Sequence, residues 1–196
     1  MSRTPKILYV EDELATNIPR LFLLFKKFLG EAEQKRLEEL DEDLEGYGAD
    51  PEEIKQIFTS IKFIDIEYRF PDALSRILNQ ADEYSLFIID RNLAGAEYTV
   101  EEVQNLDPQY SEDTHAQYFQ REGDYLLVKL VTEAKVSALE ERFYFLTAFP
   151  GQDEIRGIQK IKNRIDLAEF QRKNFIEKGD RTALQLLRSA IGGTDL

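Results

Sequence analysis

Four short apolar runs in this chain each end in a different polar group. Ile7-Leu8-Tyr9-Val10 runs into Glu11-Asp12-Glu13, and Leu86-Phe87-Ile88-Ile89 runs into Asp90-Arg91-Asn92. Phe143-Tyr144-Phe145-Leu146 runs into Thr147-Ala148, and Phe175-Ile176-Glu177 runs into Lys178. Strands that finish together at the carboxyl edge of a parallel sheet place such residues in one crevice, where open α/β sheets bind ligands. Three carboxylates, a hydroxyl and an ammonium gathered there suit a hard divalent cation and a phosphoryl group. Two carboxylates about 4 Å apart repel by roughly 4 kcal/mol at an effective dielectric near 20. Glu11, Asp12 and Asp90 would therefore call for a cation or a retained proton. Mg²⁺ fits, because it prefers oxygen ligands, keeps water and is commonly held by one or two carboxylates.

The order of these residues resembles the receiver domain of bacterial response regulators, the phosphoacceptors of two-component signalling. The match rests on the acidic pair Glu11-Asp12, the lone Asp90, Thr147 with the small Ala148 after it, and Lys178 with the aromatic Phe175 three residues before it. The resemblance implies a flavodoxin-like, doubly wound parallel sheet of five strands in the order 2-1-3-4-5. It implies Asp90 as phosphoacceptor, with Mg²⁺ held by Asp12, Asp90 and the backbone carbonyl of Asn92, and by Glu11 through water. Lys178 and Thr147 would receive the phosphoryl oxygens, and Thr147 with Phe175 would form the conformational switch. The implied partners are a histidine kinase or phosphotransfer protein upstream and a protein target downstream. Such a protein signals and is not an enzyme in the ordinary sense. One departure is Gly179 after Lys178, where receivers usually carry a cis proline that aims the lysine.

Alternating strand and helix patterns place these groups on a doubly wound sheet. Residues 6–10, 61–68 and 84–89 read as the first three strands. A helix from about Ala15 carries Leu21, Leu24, Phe25, Phe28 and Leu29 on one stripe, and Leu37, Leu40, Leu44 and Tyr47 continue the period. Gly46 and Gly48 end it, and Asp50-Pro51 reads as a capped restart. This predicts an extended first helix folded back as a hairpin, a helical insertion over 30–60 whose remaining surface could serve a partner or a homodimer. Asp72 is expected to cap a helix over Ala73–Leu78, and an apolar helix is expected around Tyr125–Val131. The polar, Tyr-containing stretch 96–120 reads as an inserted loop after the third strand, with His115 on its surface and its tyrosines packing the loop itself. A long helix from about Asp153 to Gln171 is expected before the fifth strand. Asp180 is placed to cap the last helix, which Gly192-Gly193 ends. The whole chain, 1–196, reads as one elaborated domain.

Composition narrows the function classes. Hydrophobic residues make up 42%, with 13 Phe and 9 Tyr, enough for a sizeable core. No run reaches the ~18 apolar residues of a membrane span. The first residues lack the apolar segment of a signal peptide, and the absence of cysteine removes disulfides and thiolate metal sites. A cytoplasmic location is expected. A net charge of -13 opposes a nucleic-acid role, which needs a basic face. Only 18 residues follow Lys178, so no output domain is expected. Two other functions remain. One is a pseudo-receiver serving as a phosphorylation-independent scaffold. The other is a Mg²⁺-dependent phosphatase or Toprim-like enzyme, disfavoured because Asn92 stands where those families expect a second Asp.

Overall fold

The strands alternate in facing, and that alternation sets the architecture. The structure, a computed structural model, describes residues 6–42, 48–148 and 154–193. Five parallel strands, β1 (Lys6–Val10), β2 (Ile64–Glu67), β3 (Tyr84–Asp90), β4 (Phe143–Thr147) and β5 (Phe175–Glu177), form one sheet in the order β2-β1-β3-β4-β5. Ile7, Tyr9, Leu86, Ile88 and Leu146 face one buried cluster, while Leu8, Val10, Phe87, Ile89, Phe143 and Phe145 face the other. Both faces are covered, as an all-parallel sheet requires. The register pairs Val10 with Ile89, Asp90 with Leu146 and Thr147 with Glu177. The strands therefore finish at nearly one level, and the polar residues that follow them share an edge.

On the first face lie α1 (Ile18–Phe25), α2 (Glu31–Glu42), α3 (Pro51–Phe58) and α10 (Arg181–Gly193). On the other lie α4 (Phe70–Gln80), α5 (Val100–Leu106), α6 (Glu112–Tyr118), α7 (Glu122–Thr132), the short α8 (Leu139–Arg142) and α9 (Leu167–Asn174). Among the described residues no helix is long and apolar enough to cross a membrane.

The helical insertion differs in detail from the expected continuous helix. After α1, residues Lys26–Phe28 tighten into a 3₁₀ turn and Leu29 is extended, so α2 is a separate helix. The Gln34 side-chain amide donates to the carbonyls of Lys26 and Leu29 at 3.2 and 2.8 Å, satisfying groups that the broken ladder leaves open. Gly30, at the junction, was the local signal. Leu37 and Leu40 are buried with Ile54 and Phe58, and α2 packs against α3. Leu44, Gly46 and Tyr47 lie outside the described residues. Asp50 caps α3 by accepting from the Glu52 N–H at 2.9 Å, with Pro51 in the first position.

Three further elements depart from the periodicity. The stretch 96–120 holds two capped helices in place of a loop. Thr99 and Glu102 form a reciprocal capping box for α5, and the Ser111 hydroxyl accepts from the Thr114 N–H at the start of α6. Its Tyr110 and Tyr118 are buried in the main core with Tyr125 of α7, so they hold the insertion to the domain. α4 begins at Phe70, with Asp72 inside its first turn, because Pro71 fits the start of a helix. Finally, the expected 153–171 helix is a winding segment: Gly157 adopts φ 74°, a 3₁₀ turn covers Ile158–Lys160, and only α9 is regular, capped by Asp166. Ile155, Ile158, Ile161 and Ile165 are all buried. Their helical spacing came from a chain that wraps the core in turns. Asp153 lies outside the described residues.

Candidate functional site

The edge where β1, β3, β4 and β5 finish opens into a crevice of about 600 Å³ lined by Asp12, Asp90, Asn92, Thr147, Ala148 and Lys178 among others. Glu11 and Asp90 are almost wholly buried. Carboxylate oxygens of Glu11, Asp12 and Asp90 lie within 4.8 Å of one another, a spacing that one cation could span. Lys178, following β5, reaches back across the edge: its ammonium donates to Asp90 Oδ2 and, at 3.0 Å, to Glu11 Oε1. Its backbone N–H donates to the Thr147 carbonyl at 2.9 Å, which fixes the end of β5 against β4.

Each group has further support. Arg20 of α1 donates to Glu11 Oε2 at 2.7 Å, so both oxygens of Glu11 face cations. The Gly95 N–H donates to Asp12 Oδ2 at 2.5 Å. A Cβ at Gly95 would lie 2.6 Å from that oxygen, so a larger residue there would have to displace the Asp12 carboxylate. The Asn92 N–H donates to Asp90 Oδ1 at 3.2 Å, while the Asn92 side chain accepts from the Ala94 N–H and shapes the turn. Thr147 is buried at the end of β4. Phe175 opens β5, half-buried, with its ring 5.1 Å from Phe145. Among the described residues no peptide bond is cis, and Gly179 has open space around it.

Charge crowding marks the site. Burial pushes the Asp90 carboxyl well above the usual range, and Glu11 adds to this; Lys178 only partly offsets them. Burial, then Glu11 and Glu13, push Asp12 up to about 6 against the pull of the Gly95 N–H. For Lys178, burial acts to lower the pKa, but Glu11 and Asp90 together outweigh it and hold the ammonium charged. Hard oxygen donors that repel one another at this spacing fit a divalent cation such as Mg²⁺.

Several buried groups had not stood out in the sequence. Arg91, which also lines the crevice, forms a two-pronged pair with Asp124 of α7, at 2.8 and 3.0 Å. It also donates to the Glu154 carbonyl, and its guanidinium stands 5.4 Å from the Phe175 ring. At the start of α7 a Cβ on Gly123 would meet the Asp90 carbonyl oxygen at 2.5 Å, so the helix abuts the strand end directly. Glu122 is fully buried and accepts from the Leu93 and Gln120 N–H groups and the Tyr98 hydroxyl. His115, expected on the surface, is half-buried, its Nδ1 3.4 and 3.3 Å from the Tyr98 and Tyr110 hydroxyls. The Arg91-Asp124 separation of 33 positions left no local signal. Arg20 interrupts the apolar stretch from Ile18 to Phe25, the one available hint, whereas Glu122 stands among polar residues.

No protein-family model, curated protein or solved structure matches this chain.

Proposed function

We propose that this chain is a stand-alone phosphoacceptor of the response-regulator receiver type, with Asp90 taking the phosphoryl group. The observation that carries the reading is Lys178 reaching from the end of β5 to both Asp90 on β3 and Glu11 after β1, in a sheet of order 2-1-3-4-5. Glu11, Asp12, Asp90 and the Asn92 carbonyl are the groups that would hold Mg²⁺, which when bound would supply positive charge beside the transferred phosphoryl. Asp90 forms the new oxygen–phosphorus bond as the donor's bond to phosphorus breaks, and the leaving group departs with the electron pair. Lys178 neutralises charge on the phosphoryl oxygens, and the Thr147 hydroxyl donates to one of them.

Readout by packing follows from the neighbours of Phe175. It sits on an edge strand against Phe145, Phe170 and the Arg91 guanidinium, and β5 pairs with the strand that ends in Thr147, so a shift of that strand end would reach the ring through β4. The reading includes a histidine kinase or phosphotransfer protein as donor, a protein target and a cytoplasmic setting.

Incubation with acetyl phosphate and Mg²⁺, followed by intact mass measurement, tests the proposal. A single phosphoryl adduct lost in Asp90→Asn is expected; an adduct that survives this substitution, or none at all, rejects it. One observation favours a phosphorylation-independent scaffold as the second reading. Glu11 is already matched by Arg20 and Lys178, and Asp12 by the Gly95 N–H, so the crevice is partly neutralised by the chain itself. A wild type without an adduct under these conditions would move the assignment there.

A further inference from the structure

Glu122, the first residue of α7, is a fully buried carboxylate with no cation paired to it among the described residues. A carboxylate buried without a counter-charge is costly unless donors satisfy it, so its placement needs a cause. Its two oxygens serve two different parts of the chain. Oε1 accepts from the Tyr98 hydroxyl at 3.1 Å and the Gln120 N–H at 3.0 Å, near the two ends of the inserted segment 96–120. Oε2 accepts from the Leu93 N–H at 3.1 Å, in the loop after β3. The next residue, Gly123, donates its N–H to the Arg91 carbonyl at 3.1 Å. Two consecutive residues of α7 thus hold Arg91 and Leu93, with Asn92 bracketed between them. The crevice draws on this short loop twice. The Asn92 N–H donates to Asp90 Oδ1 at 3.2 Å, and the Gly95 N–H donates to Asp12 Oδ2 at 2.5 Å.

We propose that Glu122 is a positioning residue for the acidic crevice: by holding the Leu93 N–H it aims the Asn92 carbonyl as a ligand for a divalent cation. The inference rests on the reading of the crevice as a Mg²⁺ site. The Asn92 carbonyl and the Leu93 N–H belong to one planar trans peptide and point in opposite directions. A carboxylate oxygen fixed on the N–H therefore turns the carbonyl away from Glu122, and Asn92 is one of the residues that line the crevice. Mg²⁺ demands near-octahedral geometry at short distances, so a carbonyl free to rotate with its peptide would serve it poorly. The division of labour between the two oxygens makes the role separable. A Gln at this position has one oxygen for three donors. Two of them converge on Oε1, so the amide keeps its oxygen there and sets its –NH₂ against the Leu93 N–H, donor against donor. Glu122→Gln thus releases the peptide that carries the Asn92 carbonyl and leaves the insertion tied.

Calorimetric titration of the full chain with Mg²⁺ tests this in wild type, Glu122→Gln and Tyr98→Phe, alongside hydrogen exchange at the Leu93 amide. Groups that orient metal ligands are typically worth about 10–100-fold in affinity, so Glu122→Gln should weaken Mg²⁺ binding about tenfold and speed exchange at Leu93. Tyr98→Phe removes a donor from Oε1 alone, and its Mg²⁺ affinity should match that of the wild type. Equal affinity in wild type and Glu122→Gln overturns the inference. So does an equal loss in Tyr98→Phe, which would mean that the crevice responds to loosening of the insertion and not to the Leu93 peptide. Melting curves confirm that each variant is folded. Should Glu122→Gln not fold, Glu122→Asp keeps the charge and draws the oxygens back by one methylene; it too should weaken binding, and undiminished affinity overturns the inference. If the wild type binds no Mg²⁺, the metal reading of the crevice falls and this inference with it. Mg²⁺ binding that is indifferent to Glu122 removes the inference alone.

Discussion

Two clusters of buried charge diverge from adjacent residues at the end of β3, and they are built in opposite ways. Arg91 is held in a pair with Asp124, whose second oxygen also accepts from the Arg156 N–H at 2.8 Å. Charges match, donors meet acceptors, and aromatic rings of Phe145 and Phe175 close around the guanidinium. Asp90 instead meets Glu11 and Asp12, which converge with it, and Lys178 must serve two carboxylates. A buried charge whose partner is supplied by the fold is part of the architecture. Like charges brought together with too few partners leave room for something from outside, and perturbed carboxyls in a cleft mark such a place.

The sharpest way to break this contrast is to remove one side of the matched pair. Arg91→Ala would leave Asp124 buried without its main partner, and burial already pushes that carboxyl above the usual range. A loss of about 3–5 kcal/mol in denaturant unfolding is expected, whereas Arg91→Met combined with Asp124→Leu should recover most of it. An equal loss in the double variant would mean that the pair contributes more than mutual compensation.

The crowded cluster should respond in the opposite sense. Mg²⁺ binding only to the folded state would stabilise by about 1.4 kcal/mol at ten times Kd. A rise in the melting temperature of the wild type is expected. Asp90→Asn should begin more stable than wild type without metal, because it removes one of the repelling charges, and should gain less from Mg²⁺. Identical wild-type curves with and without millimolar Mg²⁺ would show that the cluster holds no such ion.

Asp12 gives the contrast a pH dependence. Its folded pKa of about 6 lies above the ordinary 3.8, so the folded chain binds the extra proton. Its contribution is fully present below about pH 4 and is lost as pH rises through 6. Since Asp12 is partly exposed, solvent screening reduces this to on the order of 1 kcal/mol. Metal-free wild type should lose that much between these limits relative to Asp12→Asn, as followed by urea unfolding. Parallel pH profiles for the two proteins would place Asp12 outside the crowded group.

The smallest effect concerns the backbone beside Lys178. Gly179 has no positive φ and a Cβ there would touch nothing, so the fold does not require glycine. Gly179→Ala should raise stability by about 0.4–1 kcal/mol through the unfolded chain. A loss of stability would point instead to a lysine loop that depends on freedom at this position.

The sheet and the members of the crevice were legible because both are encoded locally. A short apolar run followed by a polar group names a strand and its end together, and Glu11, Asp12, Asp90, Thr147 and Lys178 all lie where strands stop. The capping signals of Asp50 and Asp180 also act within a few residues; Asp180 accepts from the Thr182 and Ala183 N–H groups, while the equally local signal at Thr99 opens a helix in the stretch expected to be a loop. Periodicity misled where one apolar spacing serves more than one backbone. The isoleucines from 155 to 165 fit a helix in sequence, yet they are buried one by one along a turning segment around Gly157.

What the chain determined by itself was the succession of strands, the facing of their residues and which polar groups close them, because a strand's pleat and a helix's first turn are short-range. Only the tertiary structure decided how those closing groups are partnered. Arg20 meeting Glu11, Arg91 meeting Asp124, and Glu122 tying Leu93 to Tyr98 join residues that are neighbours only after the sheet has formed. The energy of a charge depends on burial and on what surrounds it, so Asp90 and Arg91, adjacent in the chain, acquire opposite roles when the fold turns them toward different neighbours.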